Sequence, residues 1–362
     1  QVSQAHDDAD FNRRLSRHFE RNLAGQGTMR AEKSDLRASS ILRAATGIHN
    51  ISTTASLSAA ATADDVLDRR YRRGDELGQG TVGTVYRGRH VSLGRDVAIK
   101  EARGVFQLAS YLRRDEIVQR LRTAVEAQAT LEHPCIVQVI DQNTEREYPY
   151  FVMEHLSGGN LRQRMSNEPE GRLDLSQAIR VIVQVSQALA YAHRQGVLHL
   201  GLKPENILFD HLGNAKLSDF GFSRVTERDD DASRPVLVGG SSLAYLSPER
   251  LAPTTGARPA PTAASDIYAL GLLFYEMITG KLPGRRSPLP SQARKAIPST
   301  FDDVFDGMTR DEPEERTGSM EDVLEGIYRS FPSKEVFQKG SIPLWTSDPK
   351  PLPVPEAVAD EA

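Results

Sequence analysis

His199-Leu200-Gly201-Leu202-Lys203-Pro204-Glu205-Asn206 is the run whose reading decides what this chain is. It follows an apolar helical pattern from Ala178 to His193 and carries two polar groups of interest, Lys203 and Asn206. At Gly201 it has no side chain, so nothing at that position accepts a proton. Thirteen positions after Asn206 stands Asp219-Phe220-Gly221, behind the strand-like Ala215-Lys216-Leu217-Ser218. A lone D-F-G arises often by chance; at this distance from this run it does not.

Towards the N-terminus, Gly78-Gln79-Gly80-Thr81-Val82-Gly83-Thr84-Val85 fits G-x-G-x-x-G-x-V. A dinucleotide fold would need a helix after the glycines, whereas Val82 to Arg87 reads as a strand. The better reading is a strand–loop–strand lid whose backbone N–H groups approach phosphate oxygens closely. Val97-Ala98-Ile99-Lys100 follows, and Lys100 offers a point charge to phosphates. The periodicity predicts short strands around Leu77, Val82 to Tyr86, Val97 to Ile99, Ile136 to Ile140 and Tyr150 to Met153, with one helix over Ile117 to Leu131. Beyond Gly158-Gly159 the pattern turns helical, over Ala178 to His193, Ser265 to Gly280 and Met320 to Ser330. The expected fold class is α+β, with a small β-rich lobe before a larger α-helical one.

Taken together, about 260 residues resemble the protein kinase family in order and spacing, most of all bacterial kinases of the eukaryotic type. Lys203-Pro204-Glu205-Asn206 is similar to the serine/threonine branch. The resemblance implies a two-lobed fold with ATP and Mg²⁺ between the lobes. The nucleotide-binding set it implies is Leu77, Gly78, Gly80, Gly83, Val85, Ala98, Lys100, Met153, Glu154, Leu156, Lys203, Asn206, Leu208 and Asp219, with Asn206 and Asp219 on the metal. Glu154 and Leu156 would present backbone groups to adenine, Met153 would stand behind the pocket, and Phe220 would pack between the lobes. Ser247-Pro248-Glu249 resembles the A-P-E motif, so an ion pair between Glu249 and Arg316 is expected. Asp266 stands where the family uses an aspartate to hold the catalytic-loop backbone.

Three positions depart from that pattern. Gly201 occupies the place of the catalytic Asp, so no catalytic residue is intact there. Leu200 replaces the arginine that meets a phosphorylated activation loop. The family places a helix glutamate nine positions before the His133-Pro134 pair, and Ala124 stands there. Glu126 points about 200° away on a helix and Glu116 lies about two turns off, so the Lys–Glu pair is expected to be lost.

The expected domains are an N-terminal Ser/Thr/Ala-rich segment over 1–70 with a short basic helix from Phe11 to Leu23, a kinase-like domain over 71–331 (lobes 71–156 and 157–331), and a Pro-rich acidic tail over 332–362. A formal net charge of −4 gives no support for a nucleic-acid partner. The single cysteine, Cys135, excludes an internal disulfide framework and sits in an apolar run. No apolar run long enough to span a membrane and no signal peptide is visible, so a cytoplasmic location is expected, in a chain that starts at Gln1 and reads as a piece of a longer one. The leading expectation is a pseudokinase that binds ATP and acts through a protein partner. The alternatives are a slow serine/threonine kinase, with Thr226, Ser233, Ser241 and Ser242 as autophosphorylation candidates, and a scaffold that binds no nucleotide. Ser242 is expected within reach of Lys203.

Overall fold

A computed structural model describes residues 66–80, 82–108, 113–226, 243–251, 260–284 and 286–331. The N-terminal segment before Val66, the tail after Phe331 and the proposed Ser242–Lys203 contact lie outside the described residues.

The first lobe is a six-stranded antiparallel sheet: β1 (Val66–Leu67), β2 (Tyr71–Gln79), β3 (Thr84–His90), β4 (Asp96–Glu101), β5 (Val139–Asn143) and β6 (Tyr150–Glu154), in the order β1-β2-β3-β4-β6-β5. Strand alternation sorts the side chains onto two faces. Val97, Ile99, Tyr150 and Val152 join Leu67 and Tyr71 in a core on one face. Ala98, Phe151 and Met153 pack on the other, against α2 (Arg114–Ala129), which follows the short α1 (Gly104–Leu108). Lys100 shares the face of Ala98, and that is what aims it at the cleft.

Two strand limits differ from expectation. The sheet begins at Val66, before the expected boundary at residue 71, because Leu67 is buried in the outer core and β1 pairs with β2 through Leu67↔Tyr71. β5 begins at Val139 rather than Ile136. Ile136 and Val137 bridge to Leu217 of the other lobe, with the Val137 N–H donating to the Leu217 carbonyl at 2.9 Å.

The second lobe is helical: α3 (Leu161–Asn167), α4 (Leu175–Arg194), α5 (Pro248–Leu251), α6 (Ala263–Thr279), α7 (Pro290–Ala293), α8 (Thr300–Met308) and α9 (Met320–Ser330). α4 and α6 are buried along most of their length and form its centre, with α8 and α9 against them. Asp174 caps α4 by accepting from the Ser176 N–H, and Gly280 ends α6 in a left-handed conformation. A small hairpin, β7 (Ile207–Phe209) and β8 (Ala215–Leu217), lies on α4. None of the described helices is long and apolar enough to cross a membrane.

Candidate functional site

The β7–β8 register, Ile207↔Leu217, brings the residue before β7 and the residues after β8 to one end of the hairpin. The Ser218 N–H and hydroxyl both donate to the Asn206 carbonyl, at 2.9 and 3.1 Å. Asn206 and Asp219 therefore face the same cleft, although they are separated along the chain by a whole hairpin. Asn206 Nδ2 donates to the Gly201 carbonyl at 2.8 Å, which leaves its Oδ1 as the atom for a cation.

The loop from His199 is held from beneath by one buried carboxylate. Asp266, in the first turn of α6, accepts from the His199 N–H at 2.9 Å and the Leu200 N–H at 2.7 Å, and pairs with His193 Nε2 at 2.9 Å. These three partners keep its pKa below the ordinary carboxylate value although burial pushes the other way. The expected role of Asp266 is thus what the structure shows. His199 Nδ1 accepts from the Gly201 N–H at 3.1 Å, so Nε2 carries the proton and donates to the Ser218 carbonyl at 2.9 Å. Complete burial lowers the His199 pKa and favours this neutral ring. Leu200 is buried in a left-handed conformation (φ 59°) that costs a non-glycine residue free energy. Asp266 on its N–H and Arg250 on its carbonyl fix it there.

Lys100 is 4% exposed and its Nζ lies 2.7 Å from Asp219 Oδ2. No glutamate of α2 takes part. Ala124 is buried against the inner core, Glu126 is exposed, and Glu116 pairs with Arg113 at 3.0 Å. The expected loss of the Lys–Glu pair is therefore seen. Two aromatic rings, Phe222 at 4.7 Å and Phe151 at 5.9 Å from the ammonium, flank Lys100 instead. Phe220 is fully buried, stacks edge-on against His199 at 4.8 Å, and its N–H donates to Gln128 Oε1 of α2 at 3.2 Å. Phe222, Phe151 and Gln128 were not singled out in the sequence, where Phe222 is marked only by following Gly221.

The cleft between sheet and helices has a volume of about 740 Å³, within the usual range for small-molecule sites. Leu77, Gly78, Gly80, Val85, Ala98, Lys100, Met153, Glu154, Leu156, Lys203, Asn206, Leu208 and Asp219 all line it. Gly83 does not. Its place is set by backbone, because a Cβ there would sit 1.9 Å from the Glu101 carbonyl oxygen. The Glu154 N–H donates to the Gln138 carbonyl at 3.1 Å and its carboxylate holds Lys216 at 2.7 Å, so its own carbonyl is the group left for a base. Burial lowers the Lys203 pKa, against the pull of Glu205 and Asp219. A lysine pair, an asparagine and an aspartate around an apolar slot fit a nucleoside triphosphate with Mg²⁺, to which Asn206 and Asp219 would offer oxygens.

The Glu249–Arg316 pair is formed and buried, at 2.7 and 3.0 Å, with Arg316 also donating to three backbone carbonyls. It ties α5 to the loop before α9.

A family model for the protein kinase domain matches residues 71–334. The chain is 28% identical over 287 residues to the serine/threonine-protein kinase PrkC of Bacillus subtilis (strain 168), covering 75% of this chain and 42% of that one. It is 32% identical over 268 residues to the serine/threonine-protein kinase PknB of Mycobacterium leprae (strain TN), covering 69% and 41%. The crystal structure of the Mycobacterium tuberculosis PknI kinase domain is similar in fold, with a TM-score of 0.58 at 24% identity, covering 75% of this chain and 100% of that one. The chain spans between 27% and 51% of the length of the first curated relatives it matches.

Proposed function

This chain belongs to the protein kinase family, and on that premise we propose that it is a pseudokinase, which binds ATP with Mg²⁺ between its lobes and signals through a protein partner. The observation that carries the reading is the state of the carboxylates lining the cleft. There are four among the described residues: Glu154, Glu205, Asp219 and Asp266. Lys216 holds Glu154, Lys100 holds Asp219, and backbone N–H groups with His193 hold Asp266. Glu205 is bound by Arg162 at 3.1 Å. At Gly201, beside the Asn206 amide, no side chain stands ready to take a proton from an attacking hydroxyl.

The parts that would hold nucleotide remain. The glycine loop offers backbone donors, Lys100 and Lys203 offer charge to phosphates, and Asn206 Oδ1 and Asp219 offer oxygens to a divalent cation. Bound Mg²⁺·ATP would supply a bridge between the lobes and, in an active enzyme, the phosphoryl group. This chain's own residues would fix the nucleotide and exclude water around it, and the closed form would present a partner-binding surface. ATP is concentrated in the cytoplasm, and the same reading assigns this domain there.

One observation favours a second reading, a slow serine/threonine kinase. Glu205 is bound through one oxygen only, and its Oε2 is buried without a hydrogen-bond partner. A general base contributes about 10²–10⁴-fold, so a chain that keeps its positioning groups but lacks the base would still turn over at about 10⁻⁴ to 1 per second. The test is intact mass after hours with Mg²⁺·ATP, beside Asp219→Asn and Glu205→Gln. A gain of whole phosphates that Asp219→Asn abolishes would overturn the pseudokinase reading, and its loss in Glu205→Gln would name the substitute base. No gain, together with a calorimetric signal for Mg²⁺·ATP, is the expected result.

A further inference from the structure

Lys100 lies in a setting the missing glutamate would not have produced. Its ammonium has Asp219 on one side, at 2.7 Å, and the faces of Phe222 and Phe151 on the other, at 4.7 and 5.9 Å. The two rings lie 5.1 Å apart and tilted, so they form one wall. Phe222 belongs to a short 3₁₀ turn, Phe222–Thr226, that packs on α2. Phe222 and Val225 are both buried in the inner core with Leu121, Ala124 and Val125 of that helix.

The approach of this turn depends on Ala124. A Cβ built at Gly221 would meet the Ala124 Cβ at 3.8 Å and its Cα at 4.0 Å, so the start of the turn rests on the position where a glutamate would project. A glutamate there would need the space the turn occupies. The alanine thus removes one partner of Lys100 and admits another, with the ring of Phe222 contributing a negative quadrupole face where a carboxylate is absent. Gln128 holds the same segment one residue upstream of Gly221, through the Phe220 N–H.

We propose that Phe222, backed by Phe151, is the positioning residue for Lys100, holding its ammonium at the phosphate end of the cleft in place of the absent helix glutamate. This rests on the nucleotide-binding reading for its consequence, but the contact itself does not. A cation over an aromatic face is worth about 0.5–1 kcal/mol when exposed and about 2 kcal/mol when desolvated, which spans about 2- to 30-fold in an equilibrium constant.

Two measurements on the full chain test it. The first is a double-mutant cycle on unfolding without nucleotide, from Phe222→Leu, Lys100→Met and the pair. Leucine keeps the bulk of the inner core and removes the ring face, and Phe222→Tyr restores a face. The expected coupling is about 2- to 30-fold in the unfolding constant for leucine and little change for tyrosine. The second is calorimetric titration with Mg²⁺·ATP and, separately, with adenosine. Phe222→Leu should weaken ATP by a similar factor and leave adenosine unchanged, because only the phosphates reach Lys100; Phe222→Tyr should bind both as the unaltered protein does. No coupling overturns the inference whatever the nucleotide data show. Coupling with equal losses for ATP and adenosine, or with no loss for either, shows a packing contact and overturns the positioning role. Coupling in a protein that itself binds no ATP overturns the nucleotide-binding reading, and the positioning role with it.

Discussion

Restoring the carboxylate by Gly201→Asp separates a missing base from a missing geometry. A Cβ built at Gly201 has Ser223 Cβ at 3.7 Å, His199 Cε1 at 3.8 Å and Asn206 Nδ2 at 3.9 Å as its nearest neighbours. All three are ordinary contacts, and the backbone there is not in the left-handed region. The Ser223 hydroxyl is buried without a partner, so a carboxylate beside it supplies an acceptor worth about 0.5–1.5 kcal/mol. That gain offsets part of the cost of placing the charge, and the expected stability change is within about 1 kcal/mol.

The catalytic effect has a wider range. A positioned general base contributes about 10²–10⁴-fold, or roughly 3–5 kcal/mol. Two other deficits persist in the variant: α2 still carries Ala124, and the direct Lys100–Asp219 pair at 2.7 Å must open before phosphate and Mg²⁺ lie between them. The gain is therefore expected at the lower end, about 10²-fold over the unaltered chain. The assay is single-turnover transfer of labelled γ-phosphate, with Gly201→Asn as an isosteric control that has no base and Asp219→Asn as the background. If Gly201→Asp and Gly201→Asn transfer phosphate equally while both bind Mg²⁺·ATP, the missing carboxylate is not what limits transfer. A loss of several kcal/mol in stability would equally refute the packing argument.

Two further outcomes follow from the scaffold. The Arg316 guanidinium and the Ser265 hydroxyl at Glu249 outweigh burial and bring its pKa from the ordinary 4.5 to about 2. The stabilisation this pair gives is complete above about pH 4.5 and is lost as the pH falls towards 2, whereas Arg316→Met should cost about 3–5 kcal/mol at neutral pH and flatten the acid limb of a urea-midpoint profile. Asp68, in a left-handed turn (φ 49°), accepts from Asn143 Nδ2 and Arg146 Nη1, each at 2.7 Å, and from the Tyr150 hydroxyl. Asp68→Ala should cost about 1–3 kcal/mol and increase hydrogen exchange in β1 and the start of β2, because those contacts hold the strained turn against the far side of the sheet.

Much of the site was legible in the chain because its parts are local or sit at fixed offsets. The glycine loop, Lys100 at the end of a strand, and Asn206 and Asp219 at the two ends of one hairpin need only period-two alternation and a short turn to meet. Glu249 and Arg316 were legible only through resemblance, since 67 residues separate them. What the sequence hid was tertiary. Cys135-Ile136-Val137 has the composition of a strand in any sheet, and only Leu217 decides that it bridges the hairpin instead of opening β5. The aromatic wall on Lys100 is equally remote, because Phe151 and Phe222 come from different lobes and nothing local couples them.

The two absent carboxylates look independent in sequence, Ala124 on a helix and Gly201 in a loop, but one element touches both places. A Cβ built at Gly221, just before the turn, would lie 3.8 Å from Ala124 Cβ, and Ser223 Cβ of the turn lies 3.7 Å from where the Gly201 Cβ would be. With small residues at both positions the turn lies close against α2 and the loop at once, and Phe222 lies over Lys100 as a result. A glutamate at the first position would have to share that volume, whereas a Cβ at the second makes only ordinary contacts with the turn. Ala124 and Gly201 therefore both border one path, that of the chain after Asp219. That path packs Phe222 and Val225 against α2, beside the Lys100–Asp219 pair.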